Sequence, residues 1–183
     1  MKISNIANLP TRFGTFKIQS FSENDKDHLA IFFGDLTGVV NLRVHSECLT
    51  GDALGSLKCD CGAQLNAALE YIAKNGGLLI YLRQEGRNIG LFNKVNAYAL
   101  QDTGLDTVEA NHALGFGADE RTYEVAEEIL RFYGITKVNL LSNNQAKLAS
   151  LKEVVSRTPL IVGKNKFNED YFRVKKEQMG HLL

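Results

Sequence analysis

All three cysteines of the chain, Cys48, Cys59 and Cys61, fall within residues 48–61. Three thiols leave one unmatched by disulfide pairing, whereas thiolates are soft ligands that suit zinc. A structural zinc is closed by four protein ligands; a catalytic zinc is held by three and keeps the fourth position for water. Three cysteines without a fourth point to the open type, in which the metal brings the acidity of its water close to neutral. His45, in the same stretch, offers a fourth ligand for a closed structural site, and a chain without metal is the third alternative. C-x10-C-x-C also lacks the paired C-x2–4-C units of a common zinc finger. The tripeptide "HSE" (45–47) fits the H-x-E of zinc nucleobase deaminases. The following pair is C-x-C rather than P-C-x-x-C, which argues against that class.

Three further stretches carry polar groups suited to an anionic ligand. "RQEGRNIGL" (83–91) offers Glu85, Gly86 and Arg87 just before a predicted helix, where an arginine and backbone N–H groups can hold phosphate. The alternative is a solvated turn. "GFGADER" (115–121) places Asp119, Glu120 and Arg121 ahead of a helix, a position that favours carboxylates with or without a function. "SNNQAK" (142–147) offers Ser142 and Lys147, with asparagines equally suited to capping a helix. There is no G-x4-G-K-[ST], which excludes a P-loop.

These stretches need elements to hold them. Strands are predicted over 13–21, 28–35 and 38–45, joined as a β-meander by short turns. A helix fits 63–74, stopped by Gly76 and Gly77. The apolar run 77–83 has strand length and no alternation, as a strand buried on both faces does. Helical spacing follows over 91–101 and 121–134, the latter with Thr122 as N-cap and Gly134 as C-cap. The remaining expectations are a strand at 137–142, a helix at 143–155 and a strand at 160–163. A strand-rich first third followed by alternating helices and strands predicts a layered α/β/α domain with a mixed sheet. One domain over 1–183 is expected, with an irregular tail after about residue 167.

The 183 residues are 44% hydrophobic and 23% charged, enough to bury a full core. The 21 basic and 21 acidic residues cancel, so net charge gives no reason to expect a nucleic-acid or membrane partner. The first residues lack the apolar core of a signal peptide. A cytoplasmic protein is expected, where clustered cysteines are ligands or catalytic groups more often than bridges.

Taken together, "RVHSECLTGDALGSLKCDCGAQL" (43–65), "RQEGRNIGLFNKVNAYALQDTGLDTVEANHALGFGADER" (83–121) and "LLSNNQAK" (140–147) resemble GTP cyclohydrolase II, over about residues 8–165. The resemblance implies one Zn2+ per subunit on Cys48, Cys59 and Cys61, and Mg2+ with the substrate triphosphate. It implies opening of the GTP imidazole ring at C8, with release of formate and pyrophosphate. The product is a diaminopyrimidinone ribosylamine 5′-phosphate, the first intermediate of riboflavin biosynthesis. Arg43, Val44, His45, Ser46 and Glu47 match a triphosphate-contacting segment. Gln64, Glu85, Gly86, Arg87 and Thr107, with Ser142 and Lys147, match further substrate contacts. Glu85 is a plausible guanine reader, because a carboxylate accepts from the N1–H and 2-amino edge. Tyr98 matches a tyrosine beside the metal water, Asp119 a general base, and Arg121 a nucleophile at the α-phosphate. A guanidinium has almost no free lone pair near neutral pH, so steadying the leaving pyrophosphate suits Arg121 better. His45 is the more basic candidate nucleophile.

Leu54, Lys58, Asn88, Ser142 and Gln145 depart from the usual pattern, and none removes a ligand or proton carrier. The resemblance further implies a homodimer. A zinc-stabilised nucleotide-binding module without turnover is the competing class, and a relative that stops part-way through the reaction is a third.

Overall fold

A computed structural model describes all 183 residues. Eight strands form one mixed sheet. They are β1 (Lys2–Ile3), β2 (Ala7–Thr11), β3 (Gly14–Glu23), β4 (Lys26–Phe33), β5 (Val40–Ser46), β6 (Gly77–Leu82), β7 (Val138–Leu141) and β8 (Val154–Thr158). The order is β1-β3-β4-β6-β5-β7-β8, with β2 also on β3. Strands β1 to β4 and β6 join antiparallel, while β6, β5, β7 and β8 run parallel. The layered mixed-sheet class expected from sequence is therefore the one observed.

The helices are α1 (Leu49–Asp52), α2 (Cys61–Asn75), α3 (Gly90–Asp102), α4 (Thr107–Ala113), α5 (Glu124–Phe132), α6 (Gln145–Ser150) and α7 (Glu169–Glu177). On one sheet face α5 buries Ala126, Ile129 and Leu130, spaced at helical period, against Leu42, Val44, Leu78 and Ile80. On the other, α2 buries Ala68 and Ile72 against Phe16, Ile31 and Leu79. Strand β6 is apolar throughout because it sits between β4 and β5 with both faces covered.

Several sequence expectations are corrected. The third meander strand is displaced: β5 does not pair with β4, because the doubly apolar β6 takes the central place between them. The helix at 143–155 ends at Ser150, and Val154, Val155 and Thr158 extend as β8 instead, as β-branched residues favour. Residues 160–163 are not a strand; the side chain of Asn143 serves as partner, donating to Leu160 O at 2.7 Å and accepting from Leu160 N at 3.2 Å. The helix predicted from 121 starts at Glu124, with Tyr123 rather than Thr122 at its N-cap and Gly134 at φ +69° just beyond its end. Helix α4 was not expected, although Asp106 and Glu109 form a capping box that marks it. The tail expected to be irregular carries α7, whose polar sequence hides a buried set of Phe172, Val174 and Lys175.

Candidate active site

Strand β5 divides its side chains by the two-residue period of a strand. Leu42 and Val44 enter the core with α5. Arg43 and His45 point to the other face, both buried. Arg43 donates to Leu141 O at 2.9 Å and to Gln64 Oε1 at 2.6 Å, leaving its Nε without a partner. His45 Nε2 lies 3.1 Å from both carboxylate oxygens of Asp52, and its Nδ1 is 3.5 Å from Arg43. Tyr81 donates to Asp52 at 2.8 Å and stacks on the His45 ring at 5.5 Å. Both imidazole nitrogens are thus engaged outside the thiol cluster, which removes His45 as a fourth metal ligand. Burial pushes the His45 pKa down despite the Asp52 contact.

Cys48 opens α1, and Cys59 and Cys61 lie at the start of α2. Their Sγ atoms all fall within 4.8 Å of one another, with Cys48 and Cys59 3.7 Å apart. The backbone is shaped to permit this. A Cβ on Gly51 would stand 2.9 Å from Cys59 Sγ and 3.1 Å from Cys48 Sγ, and one on Gly62 would stand 2.2 Å from Gly51 O. Lys94 of α3 donates to Cys48 Sγ at 3.0 Å and to Glu85 at 2.7 Å. Hydrogen bonds from Cys59 and Cys61, with Lys94 alongside, draw the Cys48 thiol far below its ordinary value; Cys59, beside that thiolate, is pushed up to about 11. Soft donors, one thiolate already favoured, and a glycine-cleared cradle fit a thiophilic metal ion such as zinc.

The loop after β6 turns through Gly86, Arg87 and Asn88 at φ +61°, +60° and +73°. The asparagine that departs from the usual glycine thus occupies the left-handed region, which Asn tolerates better than most residues. Glu85 accepts from Leu49 N at 2.6 Å and Gly86 N at 2.8 Å besides pairing with Lys94, so its carboxylate tethers the loop to α1. Arg87 donates to Ala118 O at 3.0 Å and accepts, through its carbonyl, from Glu120 N at 3.2 Å, docking the 115–121 loop. There Arg121 grips both oxygens of Asp119. Burial raises the Asp119 carboxyl, but the Arg121 bonds outweigh it and hold it below the usual range. Burial opposes the charge on Arg121, and Asp119 more than restores it, raising its pKa further.

One cavity of about 420 Å³ gathers the three cysteines, Arg43, His45, Ser46, Glu47, Gln64, Glu85, Gly86, Arg87, Tyr98, Thr107, Arg121 and Lys147. Three expected residues stand off its wall. The Val44 side chain is in the core, and its carbonyl accepts from Lys147 Nζ at 2.8 Å. The Ser142 hydroxyl faces inward and accepts from Asn144 N at 3.1 Å. Asp119 stands behind Arg121. Tyr98 shares a hydrogen bond of 3.1 Å with Thr50, which ties it to the segment that carries Cys48. Arg43 and Lys147 donate only to neutral acceptors and have no carboxylate partner. Burial, then the nearby Arg43 and Arg121, push Lys147 well below its ordinary pKa. The cavity therefore holds buried basic groups whose charged forms an anion would stabilise. Sequence reasoning missed Lys94, Asp52, Tyr171, Lys175 and His181. Asp52 had a signal, at seven residues from His45 in one quoted stretch; the rest are assembled only by tertiary packing.

The family described as GTP cyclohydrolase II matches residues 2–159. The chain belongs to the GTP cyclohydrolase II family. It is similar to GTP cyclohydrolase-2 of Campylobacter fetus subsp. fetus (strain 82-40), 64% identical over 98% of this chain and 95% of that one. GTP cyclohydrolase-2 of Campylobacter hominis is 60% identical over 100% and 96%. GTP cyclohydrolase-2 of Helicobacter pylori (strain Shi470) is 57% identical over 100% and 98%. Among solved structures, RibBX, a two-domain 3,4-dihydroxy-2-butanone 4-phosphate synthase from A. baumannii, aligns with a TM-score of 0.52 at 24% identity. The alignment covers 86% of this chain and 40% of that one, and shares the fold alone. Membership makes the chain a hydrolase of the GTP cyclohydrolase II type, and no helix is long and apolar enough to cross a membrane.

Proposed function

We propose that this GTP cyclohydrolase II-type enzyme opens the imidazole ring of GTP at C8 and releases formate and pyrophosphate. Its product is then the diaminopyrimidinone ribosylamine 5′-phosphate that begins riboflavin biosynthesis. The observation that carries the reading is one cavity shared by a soft three-thiol cluster and buried cations without carboxylate partners. Cys48, Cys59 and Cys61 would hold Zn2+, one per subunit, which when bound supplies Lewis acidity and an activated water for hydrolysis. Mg2+ arrives with the triphosphate.

The remaining chemistry belongs to side chains. Arg43, Arg87 and Lys147 bind the phosphates, and Arg121, fixed in charge by Asp119, steadies the departing pyrophosphate. Arg121 has no lone pair to offer as a nucleophile while Asp119 holds it protonated. Glu85 sits at the purine side, its carboxylate already oriented by Lys94 and two backbone N–H groups. Tyr98, with burial raising its phenol pKa, remains protonated at neutral pH and serves as donor to the opening ring. Asp119 takes up a proton only after Arg121 turns towards the substrate. The homodimer implied by the resemblance accompanies this reading, and light scattering on the eluted protein tests it.

The test is to supply zinc, Mg2+ and GTP and to measure formate and pyrophosphate together. Equal amounts of both support the reading. Pyrophosphate without formate removes C8 as the target. Tight zinc and GTP binding with neither product moves the protein to the nucleotide-binding class.

A further inference from the structure

Helix α3 brings two polar side chains to the thiol cluster from one face. Lys94 and Tyr98 stand four residues apart, so both project from the same side of the helix. The Lys94 ammonium lies 5.7 Å from the centre of the Tyr98 ring. Tyr98 reaches the cluster through Thr50, whose hydroxyl is 3.7 Å from Cys48 Sγ. Lys94 reaches it directly, donating to Cys48 Sγ at 3.0 Å. Its stem passes beside Gly86, where the backbone turns at φ +61° and a Cβ would stand 3.0 Å from Lys94 Cβ. A side chain at that position would crowd the lysine stem.

The same ammonium donates to Glu85 Oε1 at 2.7 Å, and 11% and 9% of the two side chains are exposed. The two carboxylates within residues 48–61 have other partners. Asp60 pairs with Lys175 at 2.6 Å, and Asp52 is engaged by His45, Tyr81 and Cys48 N. Lys94 is thus the cation shared by Cys48 and Glu85. Three thiolates outweigh a divalent ion by one negative charge, and in a buried site that excess needs a partner. The hydrogen bond that Cys48 shares with Cys59 at 3.7 Å ends when a metal displaces the thiol proton. The Lys94 bond uses no thiol proton and survives that displacement.

We propose that Lys94 is a positioning residue that joins the thiol cluster to the loop after β6. One ammonium fixes Cys48 Sγ and Glu85 together and limits the charge that the sulfur gives to a bound ion. The inference rests on the metal and nucleotide reading above. A hydrogen bond to a ligand atom tunes the ion as well as orienting the ligand. Here the donor is charged, so the bond is a strong one. A sulfur that donates less leaves a bound ion more acidic, which is what activation of water requires. Glu85 also accepts from Leu49 N at 2.6 Å, next to Cys48, so the loop, α1 and α3 meet at this lysine. No covalent step is involved.

The test replaces zinc by Co2+, whose thiolate-to-metal charge-transfer absorption reports how strongly the sulfurs donate. Lys94→Met keeps an unbranched apolar stem and removes both donor and charge. It is expected to take up Co2+ and to shift that band to longer wavelength, because the freed Cys48 sulfur gives up its electrons more easily. With zinc, kcat is expected to fall about ten- to a hundredfold. KM for GTP should change less, since Glu85 keeps its two backbone donors. Glu85→Gln, which leaves the lysine beside the sulfur, should not shift the band to longer wavelength. A band unmoved in Lys94→Met overturns the proposal, as does an unchanged kcat. An equal shift in Glu85→Gln assigns the effect to the loop and overturns it too. If Lys94→Met fails to fold, Lys94→Gln decides by the same band, because it removes the charge; a smaller shift in the same direction is expected, and no shift overturns the proposal. If the unmutated protein takes up no Co2+, the metal reading and this proposal fall together. If the band shifts as expected and the unmutated zinc protein releases no formate, the ring-opening reaction fails while the role of Lys94 at the thiols stands.

Discussion

The two faces of β5 are built from alternate residues of one strand and obey opposite rules. Leu42 and Val44 are fully buried in a continuous apolar core, where each contributes about 1.5–3 kcal/mol by leaving water. Arg43 and His45 are as deeply buried, yet Arg43 keeps an unpartnered Nε and His45 is held neutral by its surroundings. The first face stabilises the sheet; the second is stabilised by it. The contrast explains how one short strand can carry candidate binding residues without loosening. Its position is set by the face that does no chemistry.

That comparison is open to direct attack. The largest effect expected is from Cys59→Ser, which should lower formate release by about a thousandfold or more and lose bound zinc. The thermal transition of the core face should persist; global unfolding on metal loss would make the site structural. Next is Asp119→Asn, expected to slow turnover by about a hundredfold while zinc content and GTP affinity are kept. An unchanged rate removes Asp119 from the chemistry. Its carboxyl is held below the usual range, so the stability of its pair with Arg121 is fully present above pH of about 4. That stability is lost only as pH falls through the lower folded value. An acid limb of kcat/KM near neutral pH, which reports the free enzyme, must therefore belong to another group.

On the opposite face, Leu130→Ala should cost about 2–5 kcal/mol of stability, read by urea unfolding, and leave kcat unchanged at permissive temperature. A matching loss of kcat would show that the faces are not separable. Asn88→Gly should be smallest, within about 1 kcal/mol, because Asn88 already occupies the left-handed conformation that glycine adopts freely.

Legibility in the sequence follows the same division. The thiol cluster is legible because its three cysteines lie in one stretch and their chemistry is specific. Period-two alternation also separates Arg43 and His45 from Val44, whose side chain joins the core as that period requires. The central place of β6 is not legible, since an apolar run says that a strand is buried but not between which partners. Helix α7 is hidden by its polar composition; its order comes from a few anchors such as Lys175 on Asp60. Lys94 and His181 are invisible for a related reason. Nothing local distinguishes a surface lysine or histidine from one that another segment encloses.

The insertion of β6 between strands adjacent in sequence also bears on how the chain finds its fold. Strands β4 and β5 are synthesised in succession but must leave a gap that residues 77–82 fill later. The connection that returns the chain to that gap holds all three thiols. Metal capture at Cys48, Cys59 and Cys61 would shorten the flexible loop that remains to be closed, lowering the chain entropy lost when β6 enters. The ion would then act first as a clasp on an unfinished sheet and only afterwards on substrate.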